Sequence, residues 1–322
     1  MVRTVVGVLR GGTSNEYNLS LKTGATMLAV LPEDRYETRD ILIDKKGYWY
    51  LRGIPVAAVR ALSQIDVILN GLHGGVGEDG TVQRLLDRSG VPYTGSRAYP
   101  SAISLNKIRA RNVLLRAGVK MPRAVSFTLE NKLNTAEMAE SVFSQFGPPY
   151  IVKPATDGAS FGIQIADTLY ELPDAIGDVL DNFGAVLVEE FLLGELVSVG
   201  LIENFRNQDI YALPPAHVQL PDNARILHSS HHESGTMRNI VPSNFTHREK
   251  KAIEELAKAA HRALQLAQFS RADIVLTKYG PFLLEINSLP GLYPGSSFVP
   301  MLESVGSSSR EFLENAIAQS RH

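Results

Sequence analysis

The chain contains no cysteine among its 322 residues. Without thiols it can form neither a disulfide framework nor a thiolate zinc site, and it cannot use a cysteine nucleophile. An excess of positive charge is also missing, because 32 lysines and arginines stand against 34 aspartates and glutamates. There is no basic stripe interleaved with aromatic residues either, so nucleic acid is not expected as a partner.

Long apolar runs are absent as well. The longest ones are the length of a strand, and the N-terminal VVGVL is too short for the apolar region of a signal peptide. We therefore expect a cytoplasmic protein without a membrane partner. With 44% hydrophobic residues, the chain is long enough for two or three domains with their own cores.

The order of the apolar segments predicts an α/β protein that is α+β in part. VVGVLRGGTSNE at the start and DVILNGLHGG further on each combine a strand-like apolar run with a glycine-rich turn. A probable hairpin, ILIDKKGYWYL, lies between them, and helical patterns follow both turns, near residues 19–31 and 81–88. This alternation predicts an N-terminal domain over residues 1–104 with a largely parallel sheet.

Two further regions are expected after this domain. Residues 102–117 have a helical pattern, and the strands beyond them, which flank a glycine loop, predict a small antiparallel subdomain over residues 105–190. The remaining region, 191–322, contains a helix whose start is marked by Thr246 with Glu249 three residues later. That spacing predicts a capping box.

Two strands near the C-terminus predict a hairpin with a polar face. RADIVLT and FLLEINSLPG flank the short loop KYG, so we expect the turn to centre on Tyr279. In this register Asp273 lies opposite Glu285, and Arg271 lies opposite Asn287. The other face would carry the apolar residues, which are Ala272, Ile274, Leu276, Phe282, Leu284 and Ile286.

Two carboxylates and a carboxamide that converge on one face repel one another unless a cation lies between them. An all-oxygen set suits Mg²⁺ or Mn²⁺ better than zinc, so one interpretation of Asp273, Glu285 and Asn287 is a metal site. The alternative is an ion pair of Arg271 with Asp273 or Glu285 on a half-exposed hairpin. The hairpin alone leaves both interpretations open.

Glycine-rich loops after strands provide further candidate sites. Lys153 ends an apolar strand and precedes ATDGASFG, which suits a phosphate cradle or, alternatively, a turn with a solvated lysine. The loops at residues 10–16 and 71–80 follow buried strands and could hold a ligand or simply turn the chain. The first of them lacks G-x-G-x-x-G, which disfavours a nicotinamide-dependent enzyme.

These segments together resemble a known family. GGTSNE, LHGGVGEDGTVQ, PYTGS, NKIRAR, VKPATDGASFG, VEEFLLGE, RADIVL and LEINSLPG occur in the order and approximate spacing of the D-alanine–D-alanine ligases, members of the ATP-grasp superfamily. The resemblance covers nearly the whole chain. It implies a three-part ATP-grasp architecture, in which residues 1–104 bind substrate while 105–190 and 191–322 clasp ATP.

The resemblance implies ATP and two Mg²⁺ ions as cofactors, with Mn²⁺ as an alternative metal. Lys107 and Lys153 would bind the ATP phosphates, and Ser160 with the loop amides would close over them. The metal ions would be held by Asp273, Glu285 and Asn287. The adenine would be contacted by Glu189, Glu190, Phe191 and Leu192.

The family joins two D-alanines into D-alanyl-D-alanine for peptidoglycan precursors, through a D-alanyl phosphate. By the resemblance, Glu16 would accept the ammonium group of the first D-alanine, and His73 would lie near that substrate. Arg271 and the Gly291 N–H would stabilise the oxyanion of the tetrahedral intermediate, and Ser297 would bind the carboxylate of the second substrate. The resemblance also implies a homodimer.

The loop that closes over the site departs from the family pattern. The family usually has a Lys-Tyr pair there, and in the corresponding segment, residues 228–242, His231 and His232 occupy these positions. With Glu233 they could suggest a metal site or a general base, but without regular ligand spacing a polar loop is the preferred interpretation. In the glycine loop, Ala159 replaces the first of two serines.

The ribose and second-substrate sites also differ. The glutamate that binds ribose in the family falls at Leu196, and Glu195 next to it could substitute. The loop GLYPGSSFVP is one residue longer than usual, with Phe298 where leucine is common. A charged His232 near neutral pH would affect which acceptor binds.

Two alternatives to D-alanine ligation therefore stay open. One is a ligase that joins other amino or hydroxy acids, such as D-serine or D-lactate. The other is a nucleotide-binding homologue that has lost ligation. Arg271 and Glu16 argue against the second, because a protein that only binds ATP needs neither.

Overall fold

The computed structural model describes residues 3–156, 158, 160–221, 224–226 and 237–320. The described strands form three sheets, which follow one another along the chain. None of the helices in this part of the chain has the length and apolar character that a membrane span requires.

The first sheet has a parallel centre and an antiparallel edge, with the strand order β4-β3-β2-β1-β5. Its strands are β1 (Thr4–Gly11), β2 (Tyr36–Ile43), β3 (Trp49–Leu51), β4 (Ile54–Val56) and β5 (Val67–Asn70). The accompanying helices are α1 (Tyr17–Val30), α2 (Ala58–Leu62) and α3 (Thr81–Ser89). β1 pairs in parallel with both β2 and β5, and β2 forms a hairpin with β3, which confirms both predictions.

The prediction of one helical segment over residues 102–117 is wrong. The structure has two helices, α4 (Ala98–Leu105) and α5 (Lys107–Arg116), which meet at Asn106. Asn106 is extended, with ψ at 101°, and its side chain accepts a hydrogen bond from the Arg109 N–H. It therefore caps α5, as asparagine does well because its short side chain satisfies an unpaired N–H of the first turn.

The second sheet is antiparallel throughout and has the strand order β6-β9-β7-β8. Its strands are β6 (Ala124–Thr128), β7 (Tyr150–Pro154), β8 (Gln164–Ala166) and β9 (Ala185–Glu190). Helices α6 (Thr135–Phe143) and α7 (Leu172–Phe183) share an apolar core with it, which includes Tyr150 and Ile176. Ile151 and Lys153 of this sheet line a cleft instead.

The third sheet is built around the long strand β10 (Glu195–Phe205). The other strands are β11 (Gln208–Ala212), β12 (Ala216–Gln219), β13 (Arg238–Ile240), β14 (Phe269–Thr277) and β15 (Gly280–Asn287). The helices of this region are α8 (His247–Ala263), α9 (Phe298–Ser304) and α10 (Ser309–Ser320). One apolar cluster joins this region to the first sheet, and its members include Val6, Leu69, Ile202, Met301 and Phe312.

The hairpin of β14 and β15 has the predicted polar register. Asp273 pairs with Glu285, and Arg271 pairs with Asn287. The apolar face differs from the prediction, because the register shifts by one residue after Asp273. Leu283 is therefore buried in the core, whereas Leu284 lines a cleft and Phe282 lies at the surface beneath Lys120. A β-bulge of one residue produces this change, since side chains alternate along a strand.

The capping box at the start of α8 is confirmed and provides a test of local stability. The Thr246 hydroxyl accepts a hydrogen bond from the Glu249 N–H, and the Glu249 carboxylate accepts one from the Thr246 N–H. We expect Thr246→Ala to lower the free energy of unfolding by about 1 kcal/mol, because it leaves a helix N–H without its acceptor. Urea unfolding would measure this, with Thr246→Ser as the control that keeps the acceptor.

Candidate active site

A cluster of charged side chains lies where the three sheets meet. Arg271 donates from Nη2 to Asp273 Oδ2 at 2.7 Å, and the same oxygen accepts from Asn287 Nδ2 at 3.3 Å. Asp273 Oδ1 accepts from the Ser198 hydroxyl on β10 at 3.0 Å. The register of the hairpin thus brings Arg271, Asp273 and Asn287 into direct contact, as the sequence predicts.

Glu285 lies opposite Asp273 but has a different partner. Its carboxylate is 3.4 Å from Lys107 Nζ, at the start of α5. Burial opposes the charge of Glu285, but Lys107, Lys153 and Arg271 outweigh it and lower its pKa to about 2. Burial raises the pKa of Asp273, against the influence of Arg271. Glu285 is therefore the carboxylate whose charge the surrounding lysines stabilise.

The hairpin offers an oxygen set that fits Mg²⁺. Two carboxylates and one carboxamide project from the same side of two paired strands, and oxygen ligands are what Mg²⁺ prefers. In the part of the chain that the structure describes, no three His, Cys, Asp or Glu side chains cluster for a metal. A metal here would therefore complete its shell with water and with ligand oxygens.

A cleft of about 800 Å³ opens between the second and third sheets beside this cluster. It is lined on one side by β7 and β9 and on the other by β10, β14 and β15, through Lys153, Glu189, Leu192, Val275 and Leu284 among others. Lys153 and Glu189 are both buried, and Lys153 Nζ is 2.7 Å from Glu189 Oε2. A cleft of this size with a lysine near the hairpin carboxylates can hold a nucleotide.

The end of β9 and the residues that follow it line the cleft. Glu190, Phe191 and Leu192 all line it, but the Glu190 carboxylate already accepts hydrogen bonds from the Arg123 backbone N–H and Nε. Leu196 also lines the cleft and contributes an apolar side chain. The neighbouring Glu195 lies at the same wall and binds His217 at 2.8 Å.

The glycine loop after β7 covers one end of the cleft. Ser160 lines the cleft and has a positive φ of 58°. Gly158 lies directly over Glu16, because a Cβ at that position would come within 2.1 Å of Glu16 Oε1. Only glycine allows this approach of loop backbone to carboxylate. Ala159 lies outside the described residues, and so do His231 and His232 of the closing loop.

Glu16 and His73 come from the loops after β1 and β5. Glu16 precedes α1, and burial together with the charges of Glu78 and Glu285 raises its pKa to about 8. The Nε2 of His73 and the Thr23 hydroxyl share a hydrogen bond of 2.8 Å. Burial lowers the pKa of His73 to about 4. His73 is therefore neutral near pH 7 and can orient groups, but it brings no charge to the site.

The raised pKa of Glu16 predicts a pH-dependent stability. Between its ordinary value of 4.5 and about 8, the folded protein holds a proton that the unfolded chain has released, so stability falls as pH rises. In urea unfolding without substrates, we expect Glu16→Gln to match the unmodified protein near pH 4.5 and to be more stable than it by at least about 1 kcal/mol near pH 9. An equal difference at both pH values would contradict this ionisation.

The second-substrate side is only partly as expected. The Ser297 hydroxyl contacts Ser198 at 2.9 Å, which connects it to Asp273. Gly291 lies against the Tyr293 ring, and a Cβ there would be 2.3 Å from Tyr293 Cε1. Phe298 is fully buried and packs on Phe312 with ring centroids 5.0 Å apart. The start of α9 therefore turns the Phe298 side chain into the core, and its role in substrate binding stays a prediction.

Two residues that build the site, Glu78 and Tyr293, are not among those predicted from the sequence. Glu78 accepts hydrogen bonds from the Gly74 N–H and the Ser288 hydroxyl, and so ties the N-terminal loop to the hairpin. Tyr293 is buried, packs edge-on against His73, and has its pKa raised to about 12 by burial and by the charge of Glu16, although Arg271 lowers it. Both lie within motifs that were identified, but only the path of the loops shows which side chains face inward.

Two antiparallel sheets that enclose a nucleotide-sized cleft, with a buried lysine on one and a carboxylate hairpin on the other, define an ATP-grasp protein. The profile of the D-ala D-ala ligase C-terminus matches residues 113–318, and that of the D-ala D-ala ligase N-terminus matches residues 52–96. The chain belongs to the D-alanine–D-alanine ligase family.

Individual relatives agree with this assignment. The chain is 31% identical to the D-alanine–D-alanine ligase of Desulforudis audaxviator over 98% of both chains. The crystal structure of D-alanyl-alanine synthetase A from Vibrio cholerae is 25% identical, covers 99% of both chains and superimposes with a TM-score of 0.88. The D-alanine–D-alanine ligase of Bacillus anthracis complexed with ATP is 24% identical, covers 99% of this chain and 97% of that one, and has a TM-score of 0.81, which shows the same fold.

Proposed function

We propose that the protein uses ATP to join two D-alanines into D-alanyl-D-alanine through a D-alanyl phosphate. The observation that carries this proposal is the meeting of Glu16 with the Arg271 hairpin at one end of the nucleotide cleft. Glu16 lies within electrostatic reach of both Lys107 and Arg271. The ligase of Desulforudis audaxviator and the ATP complex of the Bacillus anthracis ligase support the same activity and nucleotide.

ATP would lie in the cleft with its base toward Leu192 and its phosphates toward Lys153 and Lys107. Asp273, Glu285 and Asn287 would hold Mg²⁺, or Mn²⁺ in its place. When bound, the metal would neutralise charge on the transferring phosphoryl group. The two lysines would contribute the remaining positive charge, Lys153 from β7 and Lys107 from α5.

The first D-alanine would bind with its ammonium group on the Glu16 carboxylate. A bound ammonium group favours ionised Glu16, because the opposite charge offsets the burial that raises its pKa. The substrate carboxylate then faces the γ-phosphate and attacks it, which yields D-alanyl phosphate and ADP. Gly158 closes directly over this position, and exclusion of water there protects the acyl phosphate from hydrolysis.

The second D-alanine would bind through its carboxylate to Ser297. Its amine, once deprotonated, attacks the acyl carbon, and phosphate leaves. Arg271 and the Gly291 N–H would stabilise the oxyanion that forms in this step. The Nε of Arg271 suits this role, because it is buried and has no hydrogen-bond partner among the described residues.

An alternative acceptor, such as D-serine or D-lactate, is favoured by one observation. Tyr293, in the lengthened loop, is buried beside His73 and within electrostatic reach of Arg271 and Glu16. A phenol can donate a hydrogen bond to an acceptor hydroxyl or carboxylate that an apolar residue would leave unsatisfied. A homologue that has lost ligation is disfavoured, because Arg271 and Glu16 are both in place.

Product analysis distinguishes these functions. Purified protein with ATP and Mg²⁺ would receive D-alanine, L-alanine, D-serine or D-lactate, singly and in pairs, and phosphate release and product mass would be recorded. We expect release with D-alanine alone and the mass of D-alanyl-D-alanine. Release that requires D-serine or D-lactate would establish the alternative acceptor, and nucleotide binding without release would identify a homologue without ligase activity.

Several wider features belong to the same proposal. The three sheets support division of the chain into 1–104, 105–190 and 191–322. The product would supply peptidoglycan precursors and so support the cell wall and cell shape. We also propose that the protein acts on small molecules in the cytoplasm, since the reaction consumes ATP and free amino acids. The homodimer is proposed from the family resemblance alone.

A further inference from the structure

Glu189 is held by two cations in the structure, and one of the two contacts is incomplete. Its Oε2 is 2.7 Å from Lys153 Nζ, whereas its Oε1 is 3.8 Å from Arg111 Nη1. Both Glu189 Oε1 and Arg111 Nη1 are buried and lack a hydrogen-bond partner among the described residues. Buried charged atoms in proteins are nearly always paired, so this gap requires an explanation.

Arg111 reaches this position from the helix that also supplies Lys107. The two residues are four apart on α5, so they lie on the same face of the helix. Arg111 is buried, and its Nη2 donates to the Pro122 carbonyl oxygen just before β6. Burial lowers the pKa of Arg111 while Glu189 acts in the opposite direction, and a guanidinium stays charged under such conditions.

The proposed function makes two demands on Lys153. It must give a positive charge to the ATP phosphates, yet it now neutralises a buried carboxylate. A lysine that leaves Glu189 would strand that charge in a protein interior, which is costly unless another cation takes its place. Arg111 needs to approach by roughly 1 Å to reach normal hydrogen-bond distance from Glu189.

We propose that Arg111 is a positioning residue that takes over the charge of Glu189 and so releases Lys153 to the phosphates of the nucleotide. Glu189 thereby keeps its ionised form and its orientation at the base of the cleft in both states. This inference rests on the proposed use of ATP. It predicts that Arg111 contributes to the binding of the phosphates of a nucleotide and much less to the binding of its base and sugar.

Binding of ADP with Mg²⁺ and of adenosine, both by isothermal titration calorimetry, tests this. We expect Arg111→Met to lower the affinity for ADP by about 10- to 100-fold, the value of a lost charge-assisted hydrogen bond. The affinity for adenosine should fall by less than about threefold. Arg111→Lys, which keeps the charge, should restore most of the ADP affinity. Arg109→Met is the matched control, since Arg109 lies two residues away on the exposed face of α5 and should behave as the unmodified protein.

A second variant separates release of Lys153 from a general loss of structure. In Arg111→Met with Glu189→Gln, Lys153 has no carboxylate to hold it, so the ratio of ADP affinity to adenosine affinity should return toward that of the unmodified protein. Equal losses of ADP and adenosine in Arg111→Met, or a ratio that stays low in the double variant, would overturn the proposal. An unmodified protein that binds adenosine and ADP equally well would refute it too, and one that binds neither would refute the proposed function itself.

Discussion

Replacement of Arg271 by lysine is expected to reduce kcat by about 1,000-fold, because it removes a donor aimed at the charge that develops in the transition state. Arg271 is fixed by its Nη2 hydrogen bond to Asp273, while its Nε is buried and has no hydrogen-bond partner among the described residues. Lysine can keep the contact with Asp273, but it has no second donor in a rigid plane. ATP binding should change little, since the phosphate-binding lysines are untouched.

Steady-state kinetics and nucleotide titration would separate these two effects. Arg262→Lys, on the surface of α8, makes the same substitution away from the site and serves as the control. If Arg271→Lys retained more than about a third of kcat, the oxyanion role would be wrong. If it lost ATP affinity and kcat in parallel, Arg271 would instead support the nucleotide site.

The polar register of the β14–β15 hairpin was predicted from the alternation of side chains and a turn centred on Tyr279. In the structure Thr277 pairs with Gly280, so the turn consists of Lys278 and Tyr279, and the bulge next to Asp273 restores the predicted pairing of Asp273 with Glu285. The same rule failed for Leu283 and Leu284, because a bulge inserts one residue and reverses the alternation on one strand only. All the residues involved are apolar, so the sequence has no feature that marks the bulge.

The boundary between α4 and α5 was also hard to predict, because the residues on both sides of it have the same helical pattern. The apolar pattern continues from α4 into α5, and only the cap formed by Asn106 divides them. Phe298 illustrates a different limit, since the motif GLYPGSSFVP locates the loop, but the direction of the Phe298 side chain depends on α9 packing against Phe312. Motifs locate a loop, whereas tertiary packing decides which of its residues face a ligand.

The position of Arg111 could be predicted only in part from the sequence. A charged residue on a helix usually faces solvent, and nothing in NKIRAR marks this one as buried. Its spacing of four from Lys107 nevertheless predicts a shared helix face, so a phosphate-binding role for Lys107 would direct Arg111 toward the same cleft. Its partner Glu189 lies on β9, far away in the sequence, and only the fold brings Arg111 and Glu189 together.

The charge of Glu285 should be essential in a way that can be separated from the rest of the hairpin. Asp273 also fixes Arg271, so its replacement would disturb two functions at once. Glu285 contacts Lys107 at 3.4 Å, whereas the hydrogen bond that fixes Arg271 goes to Asp273, which makes Glu285→Gln the cleaner substitution. We expect kcat to fall by at least about 100-fold, because metal-ion stabilisation of phosphoryl transfer contributes several kcal/mol and 1.4 kcal/mol is tenfold.

A Mg²⁺ titration at fixed ATP would show whether this loss arises at the metal. The midpoint of activation should rise by about tenfold in Glu285→Gln, as expected when a hard cation loses one anionic ligand, and excess chelator should abolish activity of the unmodified protein. Glu255→Gln, at an exposed position of α8, is the control for loss of one negative charge. An unchanged midpoint with reduced kcat would contradict metal binding and would instead indicate that Glu285 serves to position Lys107.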